Sequence, residues 1–177
     1  MKELPSPVLP LIGLLEPAPA RRTWPARAPV VAPTTAADPA PSIEVVWVRH
    51  EEELRAAQRL RWRVFVEEMG ARPTPPAGTP EGLDVDRFDD FCEHLLVRQP
   101  ATDDAPAEVI GTYRVLTPGA ARRAGRLYSD AEFDLTPLAS LRPRLAELGR
   151  SCVHPDHRTG GVILALWGAL AAFMAQI

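Results

Sequence analysis

Residues 147–167 constrain the fold more than any other part of the chain. They read Glu-Leu-Gly-Arg-Ser-Cys-Val, then His-Pro-Asp-His-Arg-Thr, then Gly160-Gly161 and an apolar run from Val162 to Trp167. The pattern predicts a strand over 147–153, a proline-broken turn over 154–159 and a helix opening on the glycine pair. Such a helix presents bare backbone N–H groups at the positive end of its dipole, a cradle suited to a phosphate or pyrophosphate. The apolar stretch then meets no stop signal before Ile177. The domain is therefore expected to continue beyond this strand–turn–helix unit.

Ten of the chain's 20 prolines fall in residues 1–42, a segment with little apolar periodicity. It cannot bury enough surface to offset its ordering entropy and reads as a disordered Pro/Ala-rich extension. Residues 43–177 are the folded part. They carry 16 basic and 20 acidic side chains, which excludes a general polyanion binder. Cys92 and Cys152 have no disulfide-framework spacing, which points to a reducing, cytoplasmic compartment. An apolar run over 8–15 resembles a weak signal peptide. Glu3 and the prolines at 5, 7 and 10 argue against that reading.

Ile43–Val48 reads as a strand, and Glu51-Glu52-Glu53 suits the first turn of a following helix. Leu54, Ala57, Arg61, Val64 and Phe65 then recur at helical spacing as far as Gly70. Residues 71–82 form a Pro/Gly loop. Runs over 94–98 and 108–116 predict an antiparallel hairpin. Residues 117–146 read as an Arg-rich bend at Arg122, Arg123 and Arg126, a short stretch around Tyr128 and a helical turn after Thr136-Pro137. This order is α+β or mixed α/β with a largely antiparallel sheet. The last helix falls short of the about 20 apolar residues a membrane span needs, so it is expected to pack against the domain.

Asp84, Asp86, Asp89 and Asp90 crowd one loop without the EF-hand pattern. Asp86 and Asp89 flank Phe88, a placement that could pair a substrate ammonium with both charge and an aromatic face. A solvated acidic loop is the plainer reading. Glu147 and Arg150 bring charge to a core strand, either as a structural ion pair or as a base and an anion clamp. Strand alternation sets Glu147, Gly149 and Ser151 on one face and Leu148, Arg150 and Cys152 on the other, unless a bulge near Gly149 re-aims them. A Cys152–His154 nucleophile pair is geometrically open, but a strand cysteine more often serves as a small hydrophobe. No spacing supports a zinc site, and no metal is expected. Arg55, Arg59, Arg61 and Arg63, with the arginines of the bend, form a local basic set on an acidic chain. That combination favours an acidic protein partner, and no motif supports nucleic acid.

The ordered residues Arg61-Trp-Arg63-Val-Phe65, Asp86-x-Phe88-Asp89, Gly111-Thr-Tyr-Arg114, Phe133 and Glu147-x-x-Arg150 resemble the signature of acyl-homoserine-lactone synthases. The longer strings over 88–97, 111–116, 128–135 and 147–160 are more similar to a sister family. That family is the ornithine–acyl-carrier-protein N-acyltransferases of ornithine-lipid synthesis, often labelled hemolysin-like. Both belong to the GNAT-type acyltransferases, and the resemblance covers residues 43–177.

The resemblance implies a GNAT-type α/β fold, a mostly antiparallel mixed sheet flanked by helices, ending here after the helix that follows the fourth strand. The donor it implies is a 3-hydroxyacyl thioester on acyl carrier protein, with no separate cofactor beyond that acyl-phosphopantetheine arm. The acceptor is the α-amine of ornithine, and the product is lyso-ornithine lipid. Glu147 and Arg150 take catalytic roles. Asp86, Phe88, Asp89, Arg114, Arg63 and Phe133 take substrate-binding roles, and Arg158, Thr159, Gly160 and Gly161 receive the phosphopantetheine phosphate. Localisation follows as cytoplasmic, with peripheral contact at the inner-membrane face. The rival readings are an autoinducer synthase, a membrane-active hemolysin-like protein and an inactive fragment.

Overall fold

The glutamates at 51–53 do start a helix. In the computed structural model, which describes residues 43–158 and 160–177, the Glu53 carboxylate accepts the backbone N–H groups of Arg49 and His50 at 2.9 and 3.3 Å. Two donors at the helix start are thereby satisfied. This helix, α1 (Glu51–Arg61), follows strand β1 (Glu44–Trp47). It continues as a wider π-helical segment over Trp62–Glu68 and stops where Gly70 turns left-handed at φ 73°. The extension over 1–42 and Thr159 lie outside the described residues.

Strands β2 (Glu93–Gln99) and β3 (Glu108–Leu116) form the expected hairpin. Helix α2 (Pro118–Ala124) follows, where the sequence reading placed only an arginine-rich bend. The overlooked start and stop signals are local. The Thr117 side chain accepts the Ala120 N–H, Pro118 opens the first turn, and Gly125 closes the helix at φ 79°. Short 3₁₀ turns at Tyr128–Ala131, Thr136–Leu138 and Arg142–Arg144 lead into β4 (Glu147–Val153). After the turn at Pro155–His157 comes α3 (Gly161–Met174).

The four strands form one sheet in the order β1-β2-β3-β4, every pair antiparallel. Helix α3 covers one face. Val162, Leu166, Leu170 and Phe173 pack on Leu95, Val97 and Val115 in the main core. Gly111 permits that close approach, because a Cβ there would lie 2.6 Å from the Val162 side chain. The other face meets α1, where Leu60 and Val64 pack with Cys152. No helix among the described residues is long and apolar enough to cross a membrane.

Alternation along β4 breaks at a bulge. Arg114 pairs with Gly149 but Thr112 pairs with Cys152, so Tyr113 alone stands opposite Arg150 and Ser151. Arg150 takes φ 51°, the one left-handed non-glycine residue among those described. Such a backbone costs about 1–2 kcal/mol for a residue with a Cβ. The bulge replaces the simple two-residue alternation. Cys152 lies on the side of Glu147 and Gly149, because residues directly opposite in a ladder share a face.

Candidate active site

Helix α1 carries a charge where its spacing calls for an apolar residue. Arg61 is 0% exposed, between core positions Ala57 and Val64. A buried guanidinium must be matched, and the loop after α1 matches it. Arg61 Nε donates to Asp84 Oδ2 at 2.8 Å, and Nη2 donates to the Asp84 carbonyl at 2.6 Å and to Asp89 Oδ2 at 2.7 Å. Gln58 donates to Asp89 Oδ2 at 3.0 Å. From β3, Arg114 Nη1 donates to Asp86 Oδ1 at 2.7 Å and to Asp89 Oδ1 at 2.9 Å. From β4, Arg150 completes a set of three carboxylates and three guanidinium groups, 3.4 Å from Asp84 and 3.8 Å from Asp86.

Burial alone would raise the pKa of Asp89. The charges of Arg61 and Arg114, with the hydrogen bond from Arg114, overcome it and hold that carboxyl below its ordinary value. Burial pushes the His94 imidazole down to about 4, against the pull of Asp89, so His94 is neutral at pH 7. Its Nε2 lies 3.1 Å from the Asp89 carbonyl. Arg114 is also opposed by burial, but its bond to Asp86 raises its pKa further and keeps it charged.

This network backs a cleft of about 250 Å³. Phe88, Leu116, Tyr128 and Leu148 supply its apolar lining, Arg114, Glu147 and Arg150 its charge, and Gly149 lies on the β4 side. The Phe88 and Tyr128 rings meet edge-to-face with centroids 5.7 Å apart, and the Arg114 guanidinium lies 6.0 and 5.9 Å from them. The Glu147 carboxylate accepts the backbone N–H groups of Tyr128 and Ser129 at 2.6 and 2.8 Å, and the Ser129 hydroxyl as well. That grip fixes the turn bearing Tyr128 against β4.

The structure thus brings together Phe88, Arg114, Glu147 and Arg150, with Asp86 bonded behind Arg114. Asp89 lies deeper, among its arginines. Arg63 instead lines a second cleft beside Arg59, Glu108 and His154. Phe133 is 68% exposed and does not line the first cleft. Arg158 forms a two-pronged pair with Glu68 at 2.7 and 2.6 Å, and Gly160 and Gly161 are exposed at the start of α3.

Cys152 packs as a small hydrophobe, its thiol pushed up to about 12 by burial, which disfavours a thiolate nucleophile. Sequence reasoning missed Tyr128, Ser129, Gln58 and His94. Tyr128, Ser129 and His94 lie within the strings over 128–135 and 88–97 that carry the resemblance, and Gln58 stands as a polar residue on the apolar stripe of α1.

Residues 60–168 match the family model described as Acetyltransferase (GNAT) domain. A protein named L-ornithine N(alpha)-acyltransferase from Rhodobacter capsulatus is 46% identical over 134 residues, which cover 75% of this chain and 51% of that protein. One of the same name from Rhizobium meliloti is 43% identical over 129 residues, covering 71% and 43%. Another, from Brucella abortus, is 42% identical over 135 residues, covering 75% and 48%. The chain spans about half the length of the curated relatives it matches. With the family model matched across both flanks of the buried ion network and the β4–α3 junction, the chain belongs to the GNAT acetyltransferase-domain family.

Proposed function

We propose that this chain carries the acceptor-capturing part of an N-acyltransferase. The enzyme moves a 3-hydroxyacyl group from acyl carrier protein to the α-amine of L-ornithine and yields lyso-ornithine lipid. The observation that carries the reading is the meeting of Glu147, Arg114 and Arg150 in one aromatic-lined cleft, in a chain similar to proteins named for ornithine acylation.

The reaction is aminolysis of a thioester. The amine nitrogen attacks the carbonyl carbon, a C–N bond forms, the C–S bond breaks and the phosphopantetheine thiol leaves. An α-amine of pKa about 8 is mostly protonated at pH 7, so a proton acceptor helps. A positioned base contributes about 10²–10⁴-fold. Holding both reactants in contact contributes about 7–11 kcal/mol, so capture outweighs basicity. Glu147 accepts three hydrogen bonds, and a carboxylate has about four acceptor sites, which leaves one for the amine or a bridging water. Arg114 and Arg150 suit the substrate carboxylate. Asp86, with Asp89 behind it, supplies negative charge for the side-chain ammonium. Backbone N–H groups near Gly149 polarise the thioester carbonyl.

The donor phosphate is assigned to Arg158, Thr159, Gly160 and Gly161. Gly160 and Gly161 have open space where side chains would stand, and the 14-residue α3 directs its N-terminus there. Arg158 would exchange Glu68 for the phosphate. Acyl carrier protein is the donor partner, and the enzyme works in the cytoplasm at the inner-membrane face.

The experiment supplies 3-hydroxyacyl carrier protein with ornithine or with S-adenosylmethionine and reads the products by mass. Acyl-ornithine supports the assignment. A lactone from the second acceptor replaces it with the synthase reading.

A further inference from the structure

Arg61, Arg114 and Arg150 face the same carboxylates but are bonded very differently. Arg61 and Arg114 donate directly to carboxylate oxygens at 2.7–3.0 Å. The nearest carboxylate oxygens to Arg150 are 3.4 and 3.8 Å away. Its Nε is buried with no hydrogen-bond partner, and Asp86 Oδ2, 3.8 Å from its Nη2, is buried without one too. A buried donor on one side chain and a buried acceptor on the other are each left short, a costly arrangement for buried groups.

The surroundings of Arg150 are nonetheless built for a cation. Its Cζ lies 5.6 Å from the Phe65 ring centroid and 5.5 Å from that of Tyr128. Two rings and two carboxylates make a cage around it, and Tyr128 and Arg150 of that cage also line the cleft. The guanidinium is broad and planar, and it hangs from a bulge residue at φ 51°. A primary ammonium is compact and carries three freely directed donors, so it can approach Asp84 Oδ2 and Asp86 Oδ2 where the guanidinium does not.

We propose that Arg150 is a placeholder in a cation subsite formed by Asp84, Asp86, Phe65 and Tyr128, and that the side-chain ammonium of a diamino-acid substrate displaces it. The inference rests on the ornithine reading above. It deepens that reading by naming the residue that sets specificity. Charge stays balanced through the exchange: one cation leaves the cage as another enters, and the freed guanidinium meets the substrate carboxylate. An amino acid without a side-chain cation cannot dislodge Arg150 and forgoes its carboxylate pairing.

The test is binding, measured calorimetrically with n-propylammonium as the probe and propanol as its neutral counterpart. Arg150→Gly removes the resident cation and suits the left-handed backbone. It is expected to bind propylammonium about tenfold more tightly than the parent, with propanol unaffected. Equal propylammonium binding by parent and variant overturns the proposal. Should Arg150→Gly fail to fold, Asp86→Asn decides. It keeps the Oδ1 contacts to Arg114 and Phe88 and converts the unpartnered oxygen to a donor. The ratio of ornithine to norvaline affinity is expected to fall about tenfold, and an unchanged ratio sinks the subsite. The two readings fail separately. Propylammonium binding without acyl transfer keeps the cage and removes the enzyme assignment, whereas acyl transfer with unaltered propylammonium binding does the reverse.

Discussion

Arg61 donates to both oxygens of the Asp89 carboxylate, at 2.7 and 3.0 Å, and both side chains are sealed from solvent. The pair ties α1 to the loop preceding β2, and through Asp89 to Arg114 of β3. Removing one member of such a pair strands the other charge in the interior. Arg61→Ala and Asp89→Ala are each expected to lose about 3–5 kcal/mol of folding stability. Urea titration followed by circular dichroism measures it. A loss below about 1 kcal/mol, the worth of an exposed pair, contradicts the burial described.

His94 gives the fold a pH dependence. Burial holds its folded pKa at about 4, while an unfolded histidine titrates near 6.5. Between those values the unfolded chain binds a proton that the folded chain refuses. Stability is therefore full above about pH 6.5 and declines as pH falls towards 4, by about 3 kcal/mol in all. Asp89 acts in the same direction at lower pH, because its depressed pKa contributes stability that is lost as the folded carboxyl protonates. Urea midpoints between pH 4.5 and 8 should slope for the parent and flatten for His94→Gln. Parallel slopes would assign the acid sensitivity elsewhere.

Much of this arrangement was legible in the chain itself. Glycines and prolines marked most element boundaries, and two charged residues that line the cleft announced themselves as polar groups on a core strand, Glu147 and Arg150 on β4. Arg61, by contrast, read as part of a basic set for an acidic partner and is instead sealed in the ion network. What stayed hidden depended on three-dimensional register. The bulge that turns Arg150 into the cleft sets it beside Tyr128, 22 positions earlier, and no local pattern announces that contact. The grip of Glu147 on Ser129 is hidden for the same reason. Phe133 and Arg63 entered by motif order alone, and neither shares the cleft with Glu147.

Gly111 lies where β3 passes under α3. A Cβ there would come within 2.6 Å of Val162 Cγ1, and 3.4 Å from Leu166 and Val97. Gly111→Ala is expected to cost about 1–3 kcal/mol through overpacking. Val162→Ala removes the clashing methyl groups, so the double variant should be more stable than the sum of the two single losses predicts. Thermal unfolding of the four proteins completes the cycle. Strict additivity would show that the clash is relieved by some movement other than that of Val162.

Glu147 has two tasks that substitution can separate. Its carboxylate holds the backbone of Tyr128 and Ser129, and in the proposed reaction its remaining acceptor site takes the amine proton. Glu147→Gln keeps the shape but replaces one acceptor oxygen with a donor, so acyl transfer should fall about 10²–10⁴-fold while thioester binding persists. Ser129→Ala removes only the hydroxyl bond and leaves both backbone contacts, so its turnover should fall far less. Single-turnover assays alongside donor-binding titrations distinguish the tasks. Equal losses in the two variants would make Glu147 a clamp for the Tyr128 turn, and the proton would then leave through water.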